Sequence, residues 1–553
     1  MLIQKNAAKL LLLSIPSACL GSSLPIVDLG YELHQAISFN ESQGVYNFSN
    51  IRYAAPPIGD LRFRAPIPPE QNRSTVQKGD VGRICPQAEP VWETAIAPNF
   101  ILNYLEGKEF NGSADISSYP YEPKKQDPRA TEDCLFLDVV VPKIIFDKAS
   151  DEKPKLAPVL VWIYGGAFTL GEKSNSDASG LIKRSFDDDG EGIVYVSLNY
   201  RLGAFGWLSG YSLTANGTAN AGLHDQRLGL DWVYKYIHLF GGDPERVTVM
   251  GESAGGGSIM HQVTAYGGKR GPVPFQQAII QSPGWFPVTS VDQQEDILQE
   301  FLGILNVNSV DEARQLPTEK LIAANSYQVA KTQLYGTFTY GPVVDGTFVP
   351  EMPGKLLSQG DFDHNLKLMV GHNANEGLVF TPPTSLNGST YKATIKGYFP
   401  DMAPNVADYV TDVLYPPIYN GSYGYKDSVG RMSLSIADVV FQCNTDYFNQ
   451  AFNGESYSYK FSIPPALHGM DVSYTFFHGG GPSMSVLNTT VARAIQDYIT
   501  SFTQTGTPKS DLGPVFEKYG DDSRMLNFGL SNITMTKDLT DNVRCKFWQQ
   551  VPY

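Results

Sequence analysis

Ser253 stands at the centre of the stretch GESAG (251–255), whose residue types suit nucleophilic catalysis. The run before it, RVTVM at 246–250, is typical of a strand, and the small residues after it can begin a helix. A sharp turn between them lifts the serine hydroxyl out of a sheet, and the flanking glycines avoid Cβ clashes. The pattern predicts a nucleophile if a base lies within hydrogen-bond reach. The alternative is a glycine-rich turn with a capping serine.

A second glycine-rich bend lies upstream, in the stretch WIYGGAF at 162–168. It follows a run typical of a buried strand, and its N–H groups are free to point inward. Such donors stabilise the charge that develops on a substrate oxygen during acyl transfer. Alone, the bend is equally compatible with a simple strand-exit loop. Upstream of GESAG, it is the natural candidate for the oxyanion loop.

The general base should be a histidine that a carboxylate orients. For a nucleophile on a parallel sheet, the expected chain order is Ser, then Asp or Glu, then His, each after a strand. His468 follows a strand-like run through a short loop and is a better candidate than His478, which is typical of a loop histidine. Glu376 follows another strand-like run. Asp345 competes for the acid role, although its setting resembles a turn in which Asp bonds the backbone.

The elements that must position these residues are short strands alternating with helical patterns. Apolar residues recur at helical spacing over 226–240, residues 285–340 also indicate helix, and 86–133 is rich in loop-forming residues. This alternation predicts a large, mostly parallel α/β sheet flanked by helices, with loop and helical insertions. The predicted strands are 157–164, 192–200, 246–250, 275–282, 366–371 and 457–463.

Composition limits the class of protein. The chain has 553 residues, of which 42% are hydrophobic and 18% charged, a balance that permits a substantial core. Without a Gly/Ser-rich linker, charge run or internal repeat to divide it, residues 22–553 are predicted to form a single domain. The net charge of −15 argues against a nucleic-acid partner, because phosphate binding requires clustered Lys and Arg.

The N-terminus has the layout of a secretory signal peptide. Two lysines precede the apolar run 10–13, and small residues follow it. We predict residues 1–21 as the signal peptide, with cleavage between Cys19 and Ser23. The apolar run is too short to span a bilayer, and no later segment reaches that length. These features predict a secreted, extracellular protein.

The cysteines and the N-glycosylation sequons also fit a secreted protein. Four cysteines remain after the signal peptide, an even set that suits two disulfides in an oxidising compartment: Cys85, Cys134, Cys443 and Cys545. Spacing alone does not choose among their three possible pairings. Candidate N-glycosylation sites are Asn40, Asn47, Asn72, Asn111, Asn216, Asn387, Asn420, Asn488 and Asn532.

With these residues assembled, the chain resembles the type B carboxylesterase/lipase family, which also contains the cholinesterases. The similarity covers nearly the whole mature sequence, and the combination of motifs is very specific. The motifs include YAAPPIGDLRF (53–63), EDCLFLDV (132–139), NYRLGAFGWL (199–208), AGLHDQRLGLDWV (221–233), FGGDPERVTVMGESAGG (240–256), NEG (375–377) and HGMDVSYTF (468–476).

The resemblance implies an α/β-hydrolase fold with a Ser–His–Glu triad. Its nucleophile, general base and orienting acid would be Ser253, His468 and Glu376, and the glutamate is itself a trait of this family. Its oxyanion donors would be the backbone amides of Gly166, Ala167 and Ala254. Many relatives carry glycine where Ala167 stands; because the donor is main chain, alanine should serve if its backbone angles are compatible.

The resemblance also implies the disulfide pairing Cys85–Cys134, around a loop that often forms part of an active-site lid, and Cys443–Cys545. This sequence differs from the cholinesterases at one place. Their first disulfide loop carries a Trp-Asn-Pro motif that binds a quaternary ammonium, whereas the only tryptophan of this loop is Trp92, near its start and followed by ETAIAP. We therefore expect no choline-specific site. Glu252, next to the nucleophile, is expected either to tune the imidazolium or to serve as a hydrogen-bonded structural carboxylate.

The function expected from the sequence is a secreted, glycosylated carboxylic ester hydrolase that forms an acyl-enzyme and needs no metal or cofactor. Its substrate would be a small-molecule or lipid ester. Two alternatives remain: a lipase activated at an interface, and a catalytically silent binding protein on the same fold. Neither the natural ester nor the oligomeric state can be read from the sequence.

Overall fold

A computed structural model describes residues 24–550 except 124, 188–189, 288–289, 333 and 480–485. The predicted signal peptide at 1–21 lies outside the described residues. Across the described part of the chain, no helix combines the length and apolar character needed to cross a membrane.

Fourteen strands are present in the described residues. They are β1 (Ile26–Asp28), β2 (Glu32–Gln35), β3 (Ser38–Asn40), β4 (Val45–Arg52), β5 (Asn72–Gln77), β6 (Phe136–Pro142), β7 (Ala157–Ile163), β8 (Val194–Leu198), β9 (Gly242–Glu252), β10 (Gln277–Gln281), β11 (Lys367–Asn373), β12 (Tyr457–Phe461), β13 (Arg524–Phe528) and β14 (Ile533–Lys537).

Eleven of these strands form one sheet in the order β14-β13-β12-β11-β10-β9-β7-β8-β6-β4-β3. The strands from β13 to β8 pair in parallel, and antiparallel pairs occur only toward the two edges among the described strands. Every residue of β7, β8 and β10 is buried, as expected for parallel strands covered on both faces. Strands β1, β2 and β5 form a separate small sheet.

Helices surround the large sheet. They are α1 (Ala97–Leu105), α2 (Lys143–Phe146), α3 (Ser179–Arg184), α4 (Gly203–Trp207), α5 (Tyr211–Thr214), α6 (Ala221–Tyr236), α7 (Ala254–Val263), α8 (Val291–Leu305), α9 (Val310–Arg314), α10 (Thr318–Ala330), α11 (Pro353–Gln359), α12 (Tyr391–Tyr398), α13 (Pro404–Tyr409), α14 (Ser428–Ala437), α15 (Cys443–Ala451), α16 (Val472–Thr475), α17 (Thr489–Thr505) and α18 (Val543–Gln550).

Short 3₁₀ and π-helical turns complete the secondary structure of the described residues. The 3₁₀ turns are Gly59–Leu61, Ile116–Ser118, Ile237–Phe240, Ala265–Gly268, Glu376–Phe380, Pro383–Leu386 and Gly388–Thr390. The π-helical turns are Trp92–Ile96, Val410–Leu414 and Asp438–Gln442. The turn Glu376–Phe380 packs against α14, which fixes the loop that leaves β11.

Packing of long helices against the central strands fixes the carboxyl end of the sheet. Asn488 caps the start of helix α17, because its side chain accepts hydrogen bonds from two N–H groups of the first turn. Gly506, in a left-handed conformation, caps its end. The helix packs against β7 and β9, as α6 and α7 pack against β9. A buried hydrophobic cluster extends through these contacts from Val27 to Trp548.

The predicted strands and the helical stretch 285–340 are present, the latter as α8, α9 and α10. The prediction of a loop-rich segment at 86–133 was wrong in part, because α1 and a π-helical turn lie within it. Pro98 occupies the first turn of α1, where a backbone N–H would have no partner within the helix, so its absence costs nothing. The proline therefore suits the start of a helix and not only a loop. The sequence analysis also missed the strands β1–β6, β13 and β14.

Candidate active site

Ser253 occupies a sharp turn between the end of β9 and the start of α7. Its backbone angles, φ 56° and ψ −122°, are unfavourable for any residue with a Cβ and cost about 1–3 kcal/mol. Backbone hydrogen bonds hold the turn: its N–H donates to the Gln281 carbonyl at 3.1 Å, and its carbonyl accepts from Gly257 and Gly284 at 2.8 and 2.9 Å. The strain is therefore offset by neighbours on two separate elements.

The two glycines of GESAG are required by close backbone approach. A Cβ at Gly255 would lie 2.0 Å from the Ile163 carbonyl oxygen, and a Cβ at Gly251 would lie 2.7 Å from the Gly255 carbonyl carbon. Both distances are shorter than non-bonded atoms tolerate, and the obstructing atoms are main chain. Strand and helix thus pass each other only because these positions lack side chains, as predicted from the sequence.

His468 and Glu376 meet Ser253 at the same edge of the sheet. His468 lies in the loop after β12, and its Nε2 is 2.8 Å from the Ser253 Oγ. Its Nδ1 is 2.5 Å from the Glu376 Oε2, at the start of the turn that follows β11. A parallel bridge between Asn375 and Leu467 holds the two loops side by side. The three side chains form a continuous hydrogen-bonded series from hydroxyl to carboxylate.

The two rival candidates lie elsewhere. Asp345 accepts hydrogen bonds from the N–H groups of Thr347 and Val349 at 2.7 and 3.0 Å, so it stabilises its own turn. It also accepts from the Asn220 side chain at 2.7 Å. His478 is exposed in its loop. Neither contacts Ser253.

Glu376 is buried and held by more than the histidine. Its Oε1 accepts hydrogen bonds from the Ser282 hydroxyl at 2.6 Å and from the Asn373 N–H at 2.5 Å. Burial opposes ionisation of Glu376, but the charge of His468 and these hydrogen bonds outweigh it and lower the pKa. The carboxylate is thus kept ionised although its side chain is fully buried.

Glu252, the residue before the nucleophile, also faces the imidazole. Its Oε1 lies 3.5 Å from the His468 Nε2 and accepts no hydrogen bond from the described residues. Burial raises the pKa of Glu252 well above its usual range. Burial by itself would lower the pKa of His468, yet the carboxylates of Glu252 and Glu376 together raise it. Of the two expected roles for Glu252, this geometry favours contact with the imidazolium.

A buried polar group behind the triad was missed by the sequence analysis. The Asp471 side chain accepts hydrogen bonds from the Asn373 side chain at 3.1 Å and from the Tyr459 hydroxyl at 2.8 Å. Burial raises the pKa of Asp471. Its position in HGMD, three residues after His468, was the one available clue, whereas the contribution of Ser282 had no clue in the sequence.

The bend at 166–168 has the open backbone expected of an oxyanion loop. Gly166, Ala167 and Phe168 all have positive φ, of 107°, 51° and 64°. The Gly166 carbonyl accepts hydrogen bonds from the N–H groups of Thr169 and Leu170, which closes the turn. Within the described part of the chain, the N–H groups of Gly166 and Ala167 donate to no backbone carbonyl. Ala254, the third expected donor, is the first residue of α7 and has no preceding helical turn to bond.

These residues open into a cavity of about 550 Å³ that contains Ser253, His468, Gly166 and Ala167 in its wall. Its volume suits a small or medium-sized organic molecule. Most of the remaining wall is aromatic or aliphatic, and its aromatic members are Phe168, Trp285, Phe286, Phe338, Tyr340, Phe380, Tyr398 and Phe441. The rings of Phe441 and Phe380 pack on the His468 imidazole, with centroids 4.3 and 5.2 Å away.

Two disulfides join the cysteines in the pairing that the resemblance implied, Cys85–Cys134 and Cys443–Cys545. Trp92, inside the first disulfide loop, is fully buried, and its indole N–H donates to the Thr337 carbonyl at 2.9 Å. It does not line the cavity. Trp92 therefore presents no indole face to a substrate cation there.

A metal site is not supported by the grouping of potential ligands. Among the described residues, one group brings three candidate ligand atoms within 4.8 Å, from Asp438, Cys443 and Cys545. The two sulfurs are bonded to each other, and the Asp438 carboxylate pairs with Arg544 at 2.6 Å. These atoms are already committed to structural bonds.

A parallel sheet with a serine on a strand-to-helix turn, a histidine and an acid on later strand ends, and an upstream glycine-rich bend defines the class of α/β-hydrolases. Residues 34–548 match the model of the carboxylesterase family. The chain therefore belongs to the carboxylesterase family and is a carboxylic ester hydrolase, as the sequence predicted.

Individual relatives agree with this assignment. "Carboxylesterase patB" of Penicillium expansum is 41% identical over 99% of each chain. "Secreted lipase" of Arthroderma benhamiae is 31% identical over 77% of this chain and 84% of its own. The crystal structure of Aspergillus niger EstA has a TM-score of 0.78 at 25% identity, covering 95% of this chain and 98% of its own. The predicted α/β-hydrolase fold is confirmed.

Proposed function

We propose that this chain hydrolyses carboxylic esters through Ser253, His468 and Glu376, by way of an acyl-enzyme. The observation that carries the proposal is the continuous series of two hydrogen bonds, 2.8 Å from Ser253 to His468 and 2.5 Å from His468 to Glu376. The series joins a nucleophile, a base and an acid in the geometry that nucleophilic acyl transfer requires.

In this proposal, His468 accepts the Ser253 proton at Nε2 while Oγ attacks the ester carbonyl. The imidazolium then donates that proton to the leaving alcohol, and the acyl group stays on Oγ. A water molecule repeats the sequence and releases the carboxylic acid. Glu376 holds the Nδ1 proton, orients the ring and balances its charge. Every proton transfer is assigned to a side chain, so the cycle needs no metal or cofactor.

The backbone amides of Gly166, Ala167 and Ala254 would stabilise the tetrahedral oxyanion. Support comes from the positive φ angles of the 166–168 bend and from its place in the same cavity wall as Ser253. Ala167 has a positive φ of 51°, which costs a residue with a Cβ about 1–2 kcal/mol, and its main-chain N–H remains available as a donor. Each lost donor of this kind slows turnover about 10²–10³-fold.

The decisive experiment compares the parent with Ser253→Ala on a p-nitrophenyl ester and with a fluorophosphonate probe. We expect turnover to fall at least about 10⁴-fold and labelling to disappear, with an unchanged circular dichroism spectrum. Ser150→Ala, at an exposed position outside the cavity wall, serves as the control and should keep both activities. Undiminished turnover in Ser253→Ala would refute the assignment. A parent that folds but does not label would instead favour the silent binding protein.

A lipase that works at an interface is the second candidate. Leu105 and Leu386 line a surface groove next to α1 and are 45% and 53% exposed, and Leu102 on the same helix is 55% exposed. Exposed leucines of this kind can contact lipid. A jump in rate as the triglyceride concentration exceeds its solubility limit would favour this candidate. A rate that follows a single hyperbola against concentration, with no jump at that limit, would favour an esterase.

We further propose that the chain is secreted as one domain, 22–553, and glycosylated. The similarity to a relative named as secreted and the two disulfides support this. Two sequons use their side-chain amides in the fold: Asn216 donates to Asp311 and Asn488 to the Leu530 carbonyl, both at 2.9 Å. Asn47 is half-buried. Glycopeptide mass spectrometry should find sugar at the six exposed sites without such bonds: Asn40, Asn72, Asn111, Asn387, Asn420 and Asn532.

A further inference from the structure

The large sheet ends at β14, one edge of which has no partner strand among the described residues. The backbone of β14 bonds to β13 and, in the described part of the chain, to no other main-chain group. Just outside the strand, the Asn532 carbonyl and the Asp538 N–H also bond toward β13. Because inward and outward peptide groups alternate along an antiparallel strand, those of Ile533, Met535 and Lys537 face away from β13. Three residues therefore offer free donors and acceptors to a further strand.

The residue types at this edge favour strand pairing. The strand reads ITMTK, with β-branched residues at three of its five positions and its one charge, Lys537, at the far end. Leu530 before the strand and Leu539 after it are 43% and 76% exposed. Leu487 is 65% exposed and precedes Asn488, whose side chain donates to the Leu530 carbonyl. An uncharged edge with exposed apolar residues around it is prone to pair with another chain.

The opposite edge of the sheet differs from β14. Its edge strand, β3, has three residues, and a very short edge strand offers a second chain little to pair with. In contrast, β14 pairs with β13 in regular register over its whole length, without a bulge, and has no charge from Ile533 to Thr536. The devices that usually protect a sheet edge are therefore missing from the first four residues of β14.

A glycosylation sequon stands at this uncharged end. Asn532 immediately precedes β14, Thr534 completes the sequon within the strand, and both residues are exposed. An N-linked glycan is bulky and hydrated, whereas paired strands lie only about 4.8 Å apart. A sugar attached at Asn532 would therefore occupy the space that a further strand needs at the start of this edge.

We propose that an N-glycan on Asn532 prevents β14 from pairing with the β14 strand of a second copy of this chain. Without the glycan, two antiparallel β14 strands related by a two-fold axis would join the two large sheets. The proposal rests on the glycosylation proposed above for Asn532. It concerns self-association and not the ester chemistry, since neither Asn532 nor any residue of β14 lines the active-site cavity.

The test measures self-association of the secreted, glycosylated protein by sedimentation velocity. Asn532→Gln removes the sugar and keeps a polar side chain, so its apparent association constant should exceed that of the parent at least about 10-fold. Thr534→Lys removes the same sequon but sets two like charges near each other across the paired strands, so it should sediment as the parent does. Both variants should keep the kcat/KM of the parent on a p-nitrophenyl ester.

Two further variants are matched controls. Thr534→Ser changes the same position but keeps the sequon, and Asn111→Gln removes a sequon from an exposed loop outside both sheets. Both should sediment as the parent does. In associated Asn532→Gln, hydrogen exchange should slow at the outward-facing amides of Ile533 and Met535, because these would donate to the second copy.

Three results would overturn the proposal. Glycopeptide mass spectrometry that finds no sugar on Asn532 of the parent would remove its basis. With the sugar present, an Asn532→Gln variant that associates no more than the parent or Asn111→Gln would exclude the protective role and leave glycosylation intact. Association without slower exchange along β14 would place the contact elsewhere on the surface. Turnover of the p-nitrophenyl ester by the parent separates all three from a failure of ester hydrolysis.

Discussion

The Nε2 atom of His468 lies 2.8 Å from the Oγ of Ser253 although 215 residues separate them along the chain. The loop after β12 brings the ring to the turn between β9 and α7, across the intervening strands β10 and β11. The predictions below test the residues that maintain this contact and its chemistry.

Glu376 rather than Asp345 should be the acid that orients the histidine. Glu376→Gln keeps the shape of the side chain but removes the charge that pairs with imidazolium, so kcat should fall about 10²–10⁴-fold. Asp345→Asn, which keeps an oxygen acceptor for its own turn, should retain activity. Steady-state kinetics on a p-nitrophenyl ester measure both. Equal losses in the two variants would contradict the choice of Glu376.

Glu252 should set the pH dependence of the reaction. Its carboxylate stabilises the protonated His468 and so raises the pKa of that imidazole, whereas the general base must be neutral. The parent therefore loses kcat/KM as pH falls through this raised pKa. In Glu252→Gln the pKa of His468 drops, and the acid limb of the kcat/KM profile should move to lower pH. An exposed remote variant, Asp60→Asn, should leave the limb in place. An acid limb that moves to higher pH in Glu252→Gln would contradict the prediction that Glu252 raises the pKa of His468.

Gly255 should tolerate no side chain. A Cβ there would lie 2.0 Å from the Ile163 carbonyl oxygen, so Gly255→Ala must displace main chain and should lower the free energy of unfolding by about 2–4 kcal/mol, with loss of turnover. Gly303→Ala is the control, because Gly303 lies in α8 with no atom within 4 Å of the added Cβ. It should be neutral or stabilise by up to about 1 kcal/mol. Denaturant titration distinguishes the two, and equal stability of both variants would refute the steric argument.

The Cys443–Cys545 disulfide should anchor the C-terminal helix α18 to α15. Replacing both cysteines with serine releases a cross-link between residues 102 positions apart and should lower the free energy of unfolding by about 2–5 kcal/mol. Because neither cysteine lines the cavity, kcat/KM at low temperature should change little while the double variant stays folded. A stable double variant with impaired turnover would be the opposite of this expectation.

The elements of the fold followed from the sequence wherever the pattern was local and strong. Continuous apolar runs such as that of β7 predicted buried parallel strands, because a short, β-branched-rich strand that is covered on both faces has no polar side. Helix α1 was missed because a proline and polar residues hid a helix whose stability depends on tertiary packing against Leu378 and Leu467, beside Glu376 and His468.

The sequence by itself determined the strand-to-helix turn at Ser253, its obligatory glycines and the order in which acid and histidine must follow. Those features depend on neighbouring residues and on the backbone rules of a parallel sheet. Only the tertiary structure decided that Glu376 and not Asp345 reaches His468, and that Glu252 and Ser282 join the same group. These are contacts between side chains far apart in the chain, and their distances depend on how strands and loops pack in three dimensions.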